Sequence, residues 1–345
     1  MNKGISLSAL AAEIERQDDA KHDMIADTAV VTMHDMEGRH TLAVEDQNFG
    51  INQTAHGQIA ARLGIPLKYY DRMAAEAPSM LTYNVNEWFR RKPERRMVRT
   101  LDGNVRAFLS DRYQRIDNGE IAHVALPVLA KLPEVQIVSS QITEHRMYIQ
   151  AVTPRLTENV GLNDAVQAGV IISNSEIGMG AVSVLPVVYR LRCLNGMVLA
   201  DQGFKAMHVG RRVEDSEQLW ADDTRRADDR AVLLKVRDMI AAAVDAVKFR
   251  ENVQRMQGLA VERVTGNPVK VVEVLAKRIG ATEAEQGGIL RSLIEGGDLS
   301  AWGVLNAVTA QAHGAQYDRS VELEAAGGQL LTLGQGDWKR MLEVA

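Results

Sequence analysis

RRKPERRMVRTLDGNVRAFLSDRYQR, residues 90–115, carries nine Lys or Arg against three acids, Glu94, Asp102 and Asp111. Asp102-Gly103 stands between RMVRTL and NVRAFL, two short runs that alternate apolar and polar residues. An Asp-Gly pair suits the two positive-φ positions of a tight hairpin turn, so the stretch predicts a β-hairpin. The period of two puts Arg96, Val98 and Thr100 on one face and Met97, Arg99 and Leu101 on the other. Part of the charge can therefore line one surface. In a chain of net charge −5, such a local excess of cations calls for an anionic partner or for internal ion pairs.

Working outward, a short helix near Leu7 to Arg16 precedes two strands in residues 28–45 that flank a turn at Asp35 to Gly38. In residues 56–78, Ile59, Leu63, Leu67, Tyr70 and Met73 follow helical spacing on either side of Gly64-Ile65-Pro66, which predicts helix, tight turn, helix. That unit reads either as a DNA-reading helix-turn-helix or as two packed helices of an α+β domain. Beyond the basic hairpin, residues 118–133 predict a helix with Asn118 as cap, and residues 135–143 and 145–153 predict strands, giving a local order β-β-α-β-β. Two more β-rich runs follow at 165–178 and 181–194, with Pro186 arguing for a bulge or an edge position. From about Ser216 to Gln257 the pattern is a long charged helix, broken later by Gly266-Asn267-Pro268 and followed by further helices. The fold class expected is α+β, a mostly antiparallel sheet with a β-β-α-β core followed by a helical C-terminal part. Its expected divisions are residues 1–50, 51–213 and 214–345.

Composition bounds the function. The chain has 345 residues, 46% hydrophobic and 25% charged, the mix of an ordinary folded protein. The opening lacks a signal-peptide layout and no window predicts a membrane span, so a cytoplasmic protein with no membrane partner is expected. One cysteine, Cys193, excludes an intramolecular disulfide and any multi-cysteine metal site. Aromatic residues are only 5%, which limits models that need long rows of base-stacking rings.

No metal, cofactor or catalytic centre is expected. The histidines show neither HxxxH nor HExxH spacing, SEIGMGAV lacks the third glycine of GxGxxG, and no Walker-type motif occurs. Gly178 and Gly180 read as bends, Glu176 as a general base or a turn carboxylate, and Tyr69 and Tyr70 as stacking rings or half-buried helix residues. Asn306, Thr309 and His313 share one side of a helix, where bonding to a neighbouring backbone is the expected role. A second basic segment holds Arg190, Arg192, Lys205, His208, Arg211 and Arg212 with only Asp201 opposed, and Asn195-Gly196 predicts a turn within it. If the two basic segments converge they make a positive groove suited to a polyanion. The competing reading pairs these cations with Glu214, Asp215, Asp222, Asp223, Asp228 and Asp229.

VRAFLSDRYQRIDN (105–118), SEIGMGAVSVLPVVYRLRCLNGMVL (175–199) with AMHVGR (206–211), and AWGVLNAVTAQAHG (301–314) followed by YDRSVELEAAGG (317–328) resemble a phage- and plasmid-borne family, domain-of-unknown-function family 932. The resemblance spans about residues 50–335. It implies a mobile-element setting and offers no settled catalytic residues to carry over. The β-β-α-β order with its basic hairpin also resembles, by fold-level analogy, the core of phage single-strand annealing proteins.

The expectation is thus a non-enzymatic, oligomeric protein that binds single-stranded DNA and anneals strands in phage or plasmid recombination. Its binding residues would be Arg90, Arg91, Lys92, Arg95, Arg96, Arg99, Arg106, Arg112, Tyr113 and Arg115, extended by Arg190, Arg192, Lys205, His208, Arg211 and Arg212. Two alternatives stand beside it. One is a phage assembly or interaction factor docking an acidic partner; the other is a nucleotide or nucleic-acid enzyme gathering Glu176, His208 and Asp201.

Overall fold

A computed structural model describes residues 4–36, 38–208 and 222–344. The basic hairpin is present as β5 (Arg95–Leu101) and β6 (Asn104–Ser110), and both turn residues have positive φ, 50° at Asp102 and 74° at Gly103. It forms the centre of a six-stranded sheet with β1 (Lys21–Asp27), β2 (Thr32–Met36), β3 (Arg39–Val44) and β4 (Gln47–Ile51), in the order β1-β5-β6-β4-β3-β2. Gly50 and Ile51 of β4 pair in parallel with Asn104 and Val105 of β6, so the division expected at residue 50 runs through this sheet.

One face of the sheet is covered by α2 (Gln53–Leu63), α3 (Leu67–Glu76) and α4 (Pro78–Arg91). The Asn52 side chain caps α2 by accepting from Ala55 N–H, and left-handed Gly64 ends it. Pro78 opens α4, whose Leu81, Val85 and Phe89 recur every fourth residue and are buried with Met33, Val98 and Phe108. Arg90 and Arg91 therefore close a helix and do not belong to the hairpin strands.

The second sheet holds β7 (Gln136–Ile142), β8 (Met147–Gly161), β9 (Asp164–Asn174), β10 (Val182–Arg190) and β11 (Asn195–Val198), with β12 (Phe204–Ala206) also on β10. α5 (Asn118–Lys131) joins the sheets, and its cap is Asp117, in a capping box with Glu120, one residue before the cap expected. The Asn195-Gly196 turn is a correction: both residues lie in β11, and the reversal falls at residues 191–194, where Leu194 has φ 50°. Tertiary bonds overrode the local signal, because the buried Asn195 amide donates to Thr309 Oγ1 and Gly196 N–H donates to Glu324. Pro186 makes no bulge, since β10 and β9 stay in register from Ser183 to Arg190. Its carbonyl accepts from Leu199 N–H, and its missing donor falls between the stretch paired with β12, Val182–Val184, and that paired with β11, which begins at Val187.

Two groups of helices share one face of the second sheet, and on the other face Tyr317, Val321 and Ala325 pack with Tyr148, Ile171, Leu185 and Val187. α1 (Leu7–Ala20), α5 and α6 (Asp222–Ala242) bury Leu10, Ile121, Leu129, Val236 and Ile240 against Ile149, Ile172 and Val184. α7 (Ala246–Val261), α8 (Pro268–Ile279), α9 (Glu283–Gly296), α10 (Ala301–Ala310), α11 (Tyr317–Leu331) and α12 (Gln335–Leu342) supply a larger core around Phe249, Met256, Leu275, Trp302, Leu305 and Trp338, closed against Val166 and Val188. The single long helix expected from Ser216 is two, because Asp245 accepts from Val247 and Lys248 N–H and starts α7 afresh. Asn267 and Pro268 start α8 as expected. Among the described residues no helix is long and apolar enough to cross a membrane.

Candidate nucleic-acid interface

The arginines of the hairpin separate by burial. Arg99 is fully buried: Nε donates to Asp23 at 2.9 Å, Nη2 to Asp117 at 2.6 Å, and Nη1 to the Glu176 carbonyl at 2.7 Å. Arg106 donates to Glu176 Oε2 at 2.7 Å, and Oε1 accepts from Asn118 N–H. Lys21 joins the network, reaching Asp117 at 2.7 Å. Burial disfavours the charges, yet Arg99 and Lys21 outweigh it at Asp117 and hold that carboxyl below its usual range. The two faces of β5 do alternate as expected, but both are covered. Val98 lies under α2–α4, while Met97 and Arg99 lie under the loop at residues 175–180, packed through Ile177 and the Glu176 carbonyl. Arg99 is thus occupied by carboxylates and out of reach of a phosphate, and Arg106 is held by Glu176 away from the exposed cations. Arg190 is likewise bound to Asp164 at 2.5 and 2.8 Å, with Cζ 5.6 Å from the Trp302 ring.

The remaining cations gather where α4 enters β5. Arg90 and Arg91 both pair with Glu87, at 2.6 and 2.7 Å, with side chains 63% and 64% exposed. Arg91 and Lys92 lie 6.0 and 5.7 Å from the ring of Trp88, itself exposed, as is Tyr83 five residues earlier in α4. Arg62 and Arg96 share Glu94, and Arg96 also stacks over Phe108, where burial lowers its pKa. Because Arg96 sits opposite Ser110, exposed Arg95 and exposed Arg112 are at this same end of the hairpin. Arg62, Arg90, Arg91, Lys92, Arg95, Arg96 and Arg112 lie towards this end with four acids, Glu87, Glu94, Asp111 and Asp27, the last directly opposite Arg95 on β1. Exposed ion pairs of this kind are weak, commonly about 0–1 kcal/mol, so a polyanion can exchange for the carboxylates.

The second basic segment meets this region only in part. His208 stacks on Tyr113 with ring centroids 5.1 Å apart, and its carbonyl accepts from Gln114 N–H. Tyr113 donates to the Ser175 carbonyl, and burial pushes its pKa up. Both rings act within the packing, and Lys205 is exposed on β12 nearby. Arg115 is exposed 3.8 Å from Asp23. Arg192 is exposed in the β10–β11 turn, beside the helical C-terminal part. Arg211, Arg212, Glu214 and Asp215 lie outside the described residues. α6 does approach: Asp229 accepts from Gln114 Nε2 at 2.6 Å, so acid borders the cations at residues 112–115, away from Trp88.

The three groups named for an enzyme are not gathered, since Glu176 is held by Arg106 and Asn118, His208 is on Tyr113, and Asp201 is exposed after β11. Among the described residues no three His, Cys, Asp or Glu cluster to hold a metal. Asn306 and Thr309 bond to the backbone of Trp302 and Asn306, and His313 to the Cys193 carbonyl. Trp88, Tyr83 and Arg62 went unnoticed in the sequence. The signal was WFRRK, an aromatic residue one turn before two cations on the exposed side of a helix whose existence was missed.

A family model described as Domain of unknown function (DUF932) matches residues 106–327. No curated protein matches the chain, and no solved structure does.

Proposed function

This chain belongs to the DUF932 family, and we propose that it binds single-stranded DNA through the surface where α4 enters β5. The observation that carries the reading is the excess of cations where α4 enters β5, seven against four acids, with Arg91 and Lys92 beside the exposed ring of Trp88. Phosphates displacing Glu87 and Glu94 gain charge-assisted bonds to side chains already in solvent and release condensed counterions. Trp88 and Tyr83 offer π-faces to unstacked bases, each stack contributing about 1–3 kcal/mol, which a duplex forgoes because its bases are already stacked. Strand annealing in phage or plasmid recombination is the activity this supports when several copies align their surfaces.

Fluorescence anisotropy with a labelled oligonucleotide of about twenty residues, against the matching duplex, tests the proposal. Five phosphate contacts give a slope of log K against log salt of about −3.5 for a single strand. Trp88→Ala lowers single-strand affinity about tenfold or more at every salt concentration. A slope near zero, or equal affinity for duplex, overturns it. A second reading, docking of a protein partner, is favoured by Leu67 and Tyr69 on α3 and Met80 and Tyr83 on α4, all exposed. It replaces the first if Tyr69→Ser and Met80→Ser abolish capture of an acidic protein after nuclease treatment while oligonucleotide binding is absent in the wild type.

A further inference from the structure

At the Asp102-Gly103 end of the hairpin, opposite the end bearing Arg95 and Ser110, a cleft of about 380 Å³ opens between the two sheets. That volume is within the range of small-molecule sites. Leu101, Ile142 and Ile177 give it an apolar wall, Arg106 and Asn118 also line it, and Glu144 and Arg146 come from the β7–β8 turn. The Arg106 side chain is only 9% exposed. Its Nη2 is on Glu176, its Nε is buried with no partner, and its Nη1 bonds to no described residue. Asn118 spends its N–H on Glu176 and its carbonyl oxygen on Asn174, leaving the side-chain Nδ2 without a described acceptor. Arg106 Nε is buried without an acceptor, which is costly, while Arg106 Nη1 and Asn118 Nδ2 are not buried and can meet a ligand oxygen.

The charge of the wall narrows the ligand. Glu13, Asp102, Glu144 and Glu176 outnumber Arg106 and Arg146. Arg16 holds Glu13 and Asp102, Arg106 holds Glu176, and Glu144 has only the Asn52 amide. Arg146 is clamped on the Met179 carbonyl, its guanidinium lying where a Cβ on Gly180 (φ 151°) would fall. A free phosphate meets too many carboxylates here. A flat, uncharged heterocycle with a keto oxygen for Arg106 and Asn118, a ring N–H for Glu144 and apolar faces for Leu101 and Ile177 fits the wall. We propose that this cleft binds a single keto-bearing nucleobase: thymine, uracil or guanine. The inference stands apart from the phosphate-binding surface, which lies at the other end of the hairpin.

The test is calorimetric titration of the full chain with thymidine, guanosine, adenosine and ribose. Thymidine and guanosine should bind saturably with Kd on the order of 0.1–1 mM. Adenosine, which sets an amino donor against the guanidinium, should bind at least about tenfold more weakly, and ribose not at all. Leu101 belongs to none of the packed cores, so L101W should fill the cleft and abolish nucleoside binding while oligonucleotide affinity stays unchanged. R106Q should erase the keto preference; if it fails to fold, the L101W comparison decides. No saturable binding by about 10 mM, adenosine or ribose matching thymidine, or wild-type binding by L101W overturns the inference.

Discussion

Arg99→Met and Arg91→Met remove the same charge eight positions apart and should have opposite consequences. In R99M, Asp23 loses its nearest cation and keeps only Arg115 at 3.8 Å, and the Glu176 carbonyl loses its donor. Asp117 retains Lys21 at 2.7 Å. Breaking a buried pair costs about 3–5 kcal/mol, and the surviving Lys21 contact puts this case near the lower end, about 3 kcal/mol, or two decades in the folding equilibrium. Urea denaturation should show a lower midpoint with an unchanged m-value, and oligonucleotide affinity per folded molecule should be that of the wild type. In R91M the midpoint should not move, because the side chain is 64% exposed and its partner Glu87 keeps Arg90. Instead the salt slope of single-strand binding should shrink by about 0.7, one phosphate contact. An R99M protein with wild-type midpoint and weakened DNA binding would refute the assignment of Arg99 to the interior and the selection of the surface set by exposure.

Three further outcomes follow. His56, hydrogen-bonded to Tyr70 and edge-on to His40, has its pKa lowered to about 4 by burial and by His40. The unfolded state therefore binds the extra proton between pH 6.5 and 4. Stability should be full above pH 6.5 and fall by up to about 3 kcal/mol towards pH 4, a slope that H56Q largely removes in denaturation series. Glu324 is fully buried between Gln150 and Gly196 N–H, and burial raises its pKa. Its contribution is thus present at low pH and lost as pH rises through the folded value, so E324Q should at least match wild-type stability at pH 7 and flatten that loss, measured by the urea midpoint. Gly178 has φ 75°, and a Cβ there would lie 2.7 Å from Leu109 Cδ2, so G178A should cost about 1–3 kcal/mol by the same measurement.

The hairpin was legible because Asp102-Gly103 and the alternation around it agree with each other at short range. The helix pair around Gly64 and the break at Asn267-Pro268 were legible for the same reason. What failed depended on partners distant in sequence. Asn195-Gly196 carries a turn signature, yet Thr309 and Glu324, more than a hundred residues on, draw it into a strand. The cation count in residues 90–115 pointed to a real concentration of charge, but a count has no depth. Only the placement of Asp23, Asp117 and Glu176 separates Arg99 and Arg106 from Arg91 and Arg95. Trp88 escaped because α4 was absorbed into the basic stretch that follows it. The cleft could not be foreseen at all, since its walls come from α1, the hairpin turn, the β7–β8 turn and the loop bearing Glu176.

The family match begins at Arg106, in the middle of β6, whose neighbours on both sides are β5 and β4. A protein trimmed to that boundary would begin with a half-strand flanked by two vacant rows of backbone donors and acceptors, and Phe108 and Ile177 would lose the surfaces that cover them. Such a fragment is a template for aggregation. Domain limits drawn from shared sequence and limits drawn from packed and hydrogen-bonded elements differ here, and it is the latter, with α1 and β1 to β5 retained, that expression of a piece of this chain should respect.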